Sequence, residues 1–206
     1  MGATVYQNGS NRTIDCQGTT FDIVFYGTGT KNILTNYGPT FYINLIGSYL
    51  SGGLHYMRRT FVDFNIPDFP DAVNFIKLWL YISDNSMGII TGDVCIQKGN
   101  HVYIPCQISD YSLNENQDDL FSNVDLYGLG TGWFEFPFNE AGITYLKAQR
   151  DGVAKLCYRG HRDFWYQPSG STYTDHVYAH TAQHPSYPPY LEIDYQAGKS
   201  RAFILA

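Results

Sequence analysis

Residues 56–83 have the sequence YMRRTFVDFNIPDFPDAVNFIKLWLYIS, and this stretch decides the fold of the chain. Mostly apolar side chains recur at every second position in two runs, Thr60, Val62, Phe64, Ile66 and Ile76, Leu78, Leu80, Ile82. A period of two is typical of a β-strand with one buried face. Pro67 and Pro70 stand between the runs, and proline cannot donate to a strand ladder. The stretch therefore predicts two strands joined by a short arch, each burying one face in the same core.

The opposite faces of these two strands have an unusual composition. The second strand carries Phe75, Lys77, Trp79 and Tyr81 there, and the first carries Arg59, Phe61, Asp63 and Asn65. Aromatic rows on the non-core face of a strand indicate either a second buried layer or a binding surface. We expect Trp79 to be partly accessible, with Arg59 and Asp63 within cross-strand reach of it.

The composition favours one large all-β domain. Of the 206 residues, 44% are hydrophobic and 17% aromatic, which is enough for a sizeable core. Charged residues make up only 16%, and the net charge is −6 with no basic block, so we expect no nucleic-acid partner. No apolar run is long enough to span a bilayer, so we expect no membrane insertion. No signal peptide is visible, and the Tyr- and Gly-rich, charge-poor chain favours an extracellular, cell-surface or virion location.

Strand and turn signals divide the chain into an N-terminal extension or edge strand, residues 1–19, and one domain, residues 20–206. Further strands are predicted at residues 20–26, 40–46, 89–97, 101–108, 132–138, 153–159, 177–181 and 190–195, with an irregular excursion at 109–125 and an added edge at 201–205. The one convincing helix spans 139–149, because Asn139 can cap it and Ile143 and Leu146 share a face. This pattern predicts an all-β fold, a single β-sandwich of jelly-roll type with one short helix. Leu156, Leu191 and Ile193 should lie in its core.

Short motifs follow one another in an order that resembles the DNRLRE-type domain family. They are Phe21-Asp22, Asn36-Tyr37-Gly38, Leu45-Ile46-Gly47, residues 58–67 and 76–80, Gly132-Trp133, residues 155–158, Asp163 and residues 189–195. The family is a jelly-roll module of microbial surface proteins, found beside polysaccharide-degrading enzymes, and some members are carbohydrate-binding modules. The resemblance covers roughly residues 20–195 and implies the fold. Its motifs are core positions, so it assigns no binding residue. Asn65 stands where the family usually has Asp, and the 109–125 excursion is longer than usual.

Four cysteines, Cys16, Cys95, Cys106 and Cys157, form no CxxC pair, which argues against a zinc ribbon. A Cys95–Cys106 disulfide and buried free thiols both remain open. Asp110, Asn114, Glu115, Asn116, Asp118 and Asp119 offer oxygen ligands without EF-hand spacing, so a structural calcium ion stays possible beside the default of a solvated loop. We expect no other cofactor.

The remaining chemistry-bearing residues favour no catalytic site. His161, His176, His180 and His184 crowd the last third of the chain near Asp163 and Asp175. His176 and His180 are four residues apart, but their segment is predicted to be strand or loop, so they do not share a face as they would on a zinc-binding helix. A Cys157–His161 nucleophile pair has no evident third group. Asp63, Glu135, Glu192 and Asp194 lie on strands, yet no motif marks a catalytic pair. We therefore expect a protein that is not an enzyme.

The strand faces that carry aromatic and polar side chains together are the best candidate for a site. Sugar rings stack on indole and phenol rings, while their hydroxyls need charged partners. The predicted ligand-binding residues are Trp79, Tyr81, Lys77, Arg59, Asp63, Trp133 and Glu135. They predict a non-enzymatic carbohydrate-binding or adhesion module whose partner is a polysaccharide or surface glycan. The alternative is a structural virion protein (capsid, decoration or fibre) or surface-filament subunit, with a homo-oligomer as partner.

Overall fold

The computed structural model describes residues 2–6, 12–34, 43–86, 93–102, 107–114, 119–167 and 174–195. Within them, twelve strands form one antiparallel sheet: β1 (Gly2–Tyr6), β2 (Arg12–Gly18), β3 (Thr30–Leu34), β4 (Ile43–Ser51), β5 (Leu54–Ile66), β6 (Val73–Ser86), β7 (Asp93–Lys98), β8 (Leu120–Asp125), β9 (Gly132–Pro137), β10 (Gly152–Gly160), β11 (Thr174–His180) and β12 (Tyr190–Tyr195). The helices are α1 (Phe21–Phe25), α2 (Glu140–Ala148), α3 (His161–Phe164) and a 3₁₀-helix (Ile108–Asn114). The all-β fold class is confirmed.

The two central strands, β5 and β6, exist as predicted but are not neighbours in the sheet. β5 pairs with β4, β10 and β2, whereas β6 pairs with β12, β11 and β9. Their inner faces nevertheless meet in one core. The residues predicted to be buried there are all fully enclosed, namely Val62, Phe64, Leu78, Leu80, Leu156, Leu191 and Ile193. Strands that face one core without sharing a ladder form a sandwich-like arrangement. The jelly-roll strand order stays a prediction.

The predicted helix at 139–149 is α2. The side-chain oxygen of Asn139 accepts a hydrogen bond from the Gly142 backbone N–H at 2.9 Å, which satisfies one of the free donors of the first turn. Leu146 is fully buried, and Ile143 packs against the same core. None of the helices in the described part of the chain is long and apolar enough to cross a bilayer.

The strand predicted at residues 20–26 is wrong, because this segment is helix α1. Thr20 caps the helix by accepting from the Ile23 N–H at 3.4 Å. Phe21, Val24 and Phe25 are spaced as one helix face and are buried. A second core forms where this face meets β2 and the side of β5 that points away from the first core. The apolar run suited both structures, and burial against β5 decided for the helix.

The first eighteen residues also contribute more to the sheet than predicted. β1 pairs with β12 as an edge strand. β2 is no edge, because it pairs with both β3 and β5, and Ile14 is fully buried. The polar side chains of this segment suggested an exposed strand. Asp15 is nevertheless buried, because its carboxylate pairs with the guanidinium of Arg58 at 2.9 Å.

The strand predicted at 101–108 and the irregular excursion predicted at 109–125 are also partly wrong. Where the strand predicted at 101–108 is described, it is absent: residues 101–102 and 107 lie in no strand, and Ile108 starts the 3₁₀-helix and is exposed. Instead, β7 pairs with β10 on one side and with β8 on the other, and β8 lies inside the segment predicted to be irregular. Cys95 is a buried free thiol, as are Cys16 and Cys157. Cys106 and the edge predicted at 201–205 lie outside the described residues.

Candidate functional site

The outer side of β6 presents the predicted row of side chains. Because Ile76, Leu78, Leu80 and Ile82 take the inner side, the pleat turns Lys77, Trp79 and Tyr81 outward. All three are half-buried, so the partial accessibility expected for Trp79 is confirmed.

Strands β9 and β12 flank this row and extend it on both sides. On β9, Glu135 lies opposite Trp79 of β6, and Trp133 lies opposite Tyr81 of β6. On β12, Tyr190 lies opposite Trp79, and Glu192 lies opposite Lys77. Directly opposed residues point to the same side of a sheet. We call this surface the aromatic face; it consists of Lys77, Trp79, Tyr81, Trp133, Glu135, Tyr190 and Glu192.

The rings of the aromatic face are in contact with one another. Trp79 stacks on Tyr190 with ring centroids 6.1 Å apart. Trp133 meets Tyr190 at 5.4 Å and Tyr81 at 5.6 Å, in both cases steeply inclined to the other ring. Trp133 is the most open of these rings, with 37% of its surface exposed. This packing holds each ring in place and leaves an uneven apolar surface that is open to solvent.

Charged groups lie between the rings. The indole Nε1 of Trp79 donates a hydrogen bond to Glu192 at 2.9 Å, and the ammonium of Lys77 donates to Glu135 at 2.6 Å. The hydrogen bond with Glu135 raises the pKa of Lys77, against a smaller effect of burial. Asp194 continues the β12 row and accepts from Asn74. The face combines ring surfaces with hydrogen-bonding carboxylates, and its net charge is negative.

At one end of the aromatic face, four rings form a closed cluster. Tyr81 stacks on Tyr187 at 4.3 Å and on His180 at 4.8 Å. His184 closes the cluster, with its ring centroid 3.8 Å from that of His180 and 5.2 Å from that of Tyr187. Of these residues, the sequence interpretation assigned only Tyr81 to the binding surface. It did not assign Tyr187 or Tyr190 to a site, and it weighed His180, His184 and Glu192 only as metal ligands or catalytic groups. The alternation of outward Tyr190 and Glu192 with buried Leu191 and Ile193 was a visible signal, but it named no neighbouring strand.

Arg59 and Asp63 do not belong to this surface, which corrects the prediction. Both lie on β5, which is not adjacent to β6, and both are fully buried. Asp63 bonds to His101 Nε2 at 2.9 Å. The physical reason is that α1, the 3₁₀-helix and α3 cover the reverse side of β5, so its polar side chains are paired inside the chain.

Arg59 belongs instead to a buried ionic cluster. Asp163 accepts from Arg59 at 2.9 and 2.7 Å and from Arg159 at 2.8 and 2.7 Å. Arg59 also donates to the backbone oxygens of Tyr111 and Phe25. Burial alone would raise the pKa of Asp163, but the two guanidiniums hold it below its usual value. Every charged group is hydrogen-bonded, as a buried ionic cluster requires, and loss of the Asp163 carboxylate would leave uncompensated buried charges.

The remaining candidate groups show no catalytic arrangement in the described residues. No group of three or more His, Cys, Asp or Glu side chains is placed there to hold a metal ion. Asp110 is buried and accepts from the Val102 and Gln107 backbone N–H groups, while Glu115, Asn116 and Asp118 lie outside the described residues. Burial raises the pKa of the Cys157 thiol to about 12, which disfavours the nucleophilic thiolate. His161 bonds to Asp93 and Gln167.

Compared with known proteins, the sequence matches no family model and no curated protein. The resemblance to DNRLRE-type domains therefore stays a prediction, and the function has to be argued from the geometry of the aromatic face.

Proposed function

We propose that this chain is a non-enzymatic carbohydrate-binding or adhesion module that holds a polysaccharide or surface glycan on the aromatic face. The observation that carries the proposal is the placement of Trp79, Tyr190 and Trp133 on one open side of the sheet, with carboxylates between them. A module of this kind acts outside the cell or on a surface, which is where we place the chain.

The chemistry of the face suits a sugar chain. The C–H faces of a pyranose ring pack on an indole or phenol ring, and Trp133 offers the most open ring. Sugar hydroxyls can donate to the carboxylates of Glu135 and Glu192, and charge-assisted hydrogen bonds of this type are stronger than neutral ones. An open sheet face fits an extended chain that contacts several rings in turn.

The charge of the face favours an uncharged glycan. Glu135, Glu192 and Asp194 carry negative charge, and the ammonium of Lys77 is already bonded to Glu135. A uronate or sulfate on the ligand would approach these carboxylates without a free cation from Lys77 to receive it. We therefore propose a neutral polysaccharide as the ligand class.

Affinity gel electrophoresis tests the proposal. The chain should be retarded by a neutral polymer, hydroxyethyl cellulose or laminarin, and not by alginate. Trp133→Ala should lose the retardation, because it removes the most open ring. Trp165→Ala is the matched control, since Trp165 is 41% exposed and makes its ring contacts with His161 and Phe164 instead. Equal retardation of wild type and Trp133→Ala, or none with any neutral polymer, would count against the proposal.

A second candidate is a structural subunit of a virion or surface filament. It is supported by exposed apolar side chains around the 3₁₀-helix: Val102 is 64%, Leu113 43% and Ile108 41% exposed. Asn100 and Asp110 bond to the backbones of Leu113 and Val102, which holds this region together. Light scattering of wild type and Val102→Asp separates the candidates. A stable oligomer that Val102→Asp dissociates supports the subunit, and a monomer at every concentration opposes it.

A further inference from the structure

The loop of residues 181–189 joins β11 to β12 and lies against one end of the aromatic face. Its Tyr187 stacks on Tyr81 and also contacts Trp133, with ring centroids 6.2 Å apart. The loop therefore places an exposed ring next to the aromatic face and supports two of its rings, Tyr81 and Trp133.

A single imidazole nitrogen holds the turn of this loop. The Nδ1 atom of His184 accepts from the backbone N–H of Ser186 at 3.2 Å and from that of Tyr187 at 3.0 Å. A ring nitrogen that accepts hydrogen bonds carries no proton, whereas both nitrogens of an imidazolium are donors. The observed turn thus requires neutral His184, and protonation of Nδ1 removes both bonds to the loop.

The closed loop also requires that His180, which lies beneath His184, is neutral. It is 8% exposed, and its Nδ1 is buried without a hydrogen-bond partner in the described part of the chain. Its ring lies 3.8 Å from that of His184, so two imidazoliums would repel each other here. The other titratable groups that face the pair are Tyr81 from β6 and Tyr187 from the loop, and neither brings a carboxylate to offset a positive charge.

We propose that the 181–189 loop is a pH-dependent clasp, closed over Tyr81 while His180 and His184 are neutral and released when either is protonated. As a regulatory device it rests on the proposed function, because release removes Tyr187 from its contacts with Tyr81 and Trp133 on the aromatic face. The chain then binds its glycan near neutral pH and lets it go on acidification.

The direction of the pH dependence follows from the burial of the pair. Burial lowers the pKa of His180 to about 4, with a further contribution from His184, and burial also lowers the pKa of His184. In the released loop both return toward about 6.5. The free energy that favours the closed loop over the released loop is therefore complete above about pH 6.5. It is lost as the pH falls from about 6.5 toward about 4.

An NMR titration of the free protein tests the clasp without any glycan. On lowering the pH from about 7.5 to about 4, the His184 ring should titrate below 6.5. The amide protons of Ser186 and Tyr187 should shift upfield with the same midpoint, as their bonds to Nδ1 are lost. In His184→Asn, the side-chain oxygen can take the place of Nδ1 and cannot be protonated, so both amides should stay unchanged above the titration of His180. His55→Asn is the control, because the His55 ring contacts Phe21 and not the loop.

In the titration, the clasp is overturned if His184 titrates at or above 6.5, or if the amides of Ser186 and Tyr187 do not respond when His184 titrates. Retardation by hydroxyethyl cellulose gives the second readout. Wild type should lose it between about pH 7.5 and about pH 5, while His184→Asn should keep it. Equal loss in both chains also contradicts the clasp. If the wild type is retarded at neither pH, the result counts against the proposed function alone. The amide titration then tests the clasp independently.

Discussion

The guanidinium of Arg59 and the carboxylate of Asp163 form a two-point ion pair that is closed to solvent, although 104 positions separate them in the chain. The Nε and terminal nitrogen of Arg59 donate to the two carboxylate oxygens at 2.9 and 2.7 Å. Arg159 approaches the same carboxylate in the same way. One acidic side chain on α3 thereby ties together β5 and β10 and the helices that cover them.

Asp163→Asn should destabilise the domain by about 3–5 kcal/mol, because it leaves two buried guanidiniums facing a neutral amide. Urea unfolding measures this. Asp71→Asn is the control, since Asp71 forms an exposed ion pair with Arg150 and should change stability by less than about 1 kcal/mol.

The same carboxylate makes a prediction about acid stability. The pKa of Asp163 is lowered in the folded chain, so its contribution is complete above the unfolded value of 3.8 and disappears only as the pH falls through the lower folded value. Asp163 should therefore add no slope to stability between about pH 7 and about pH 5. If Asp163→Asn removes a slope of the unfolding free energy between about pH 7 and about pH 5, the lowered pKa of Asp163 is contradicted. If His180→Phe removes such a slope, the result agrees with the burial of His180.

Phe64→Ala should cost about 3–5 kcal/mol, because Phe64 is fully buried where β5 meets the core shared with β6. Phe75→Ala, on the outer side of β6, is the comparison and should cost less than half as much, since that ring is only half-buried. Chemical unfolding of both variants decides the matter. Similar losses would mean that the outer side of β6 is as enclosed as the core.

Trp79→Ala should weaken binding to hydroxyethyl cellulose with a small loss of stability, because no cavity forms in the inner core. Trp79→Phe separates stacking from hydrogen bonding: it keeps a ring but removes the indole N–H that donates to Glu192. We expect Trp79→Phe to bind at an intermediate level. Unfolding of Trp79→Ala at room temperature would show that the ring supports the fold and not a ligand.

Glu192→Lys should change the preference of the face from neutral toward acidic polymers. The substitution places an ammonium beside Lys77 and removes one of the carboxylates that repel a uronate. Retardation by alginate should appear at low salt and fade as salt is added. Glu140→Lys makes the same charge change on α2, away from the aromatic face, so alginate binding by both variants would point to net charge and not to the site.

Alternation along the chain was enough to determine the central strands and their inner sides. Val62 and Phe64, or Leu78 and Leu80, can share a buried side only in a strand with a period of two. The same rule turned Lys77, Trp79 and Tyr81 outward. Asn139 determined the start of α2 locally, because capping needs only the backbone of the next turn. These are short-range properties, and a sequence states them directly.

Only the tertiary structure decided which outer side stayed open. The alternating pattern predicts the side of a strand on which a residue lies. It predicts neither which strand lies next to it nor which elements pack over that side. Arg59 and Trp79 both lie on non-core sides. Packing of α1 and α3 over β5 buried Arg59 against Asp163, whereas β9 and β12 lined up beside β6 and left Trp79 among Trp133, Glu135 and Tyr190. Long-range pairing joins residues more than a hundred positions apart, and its free energy depends on the whole set of contacts that form together.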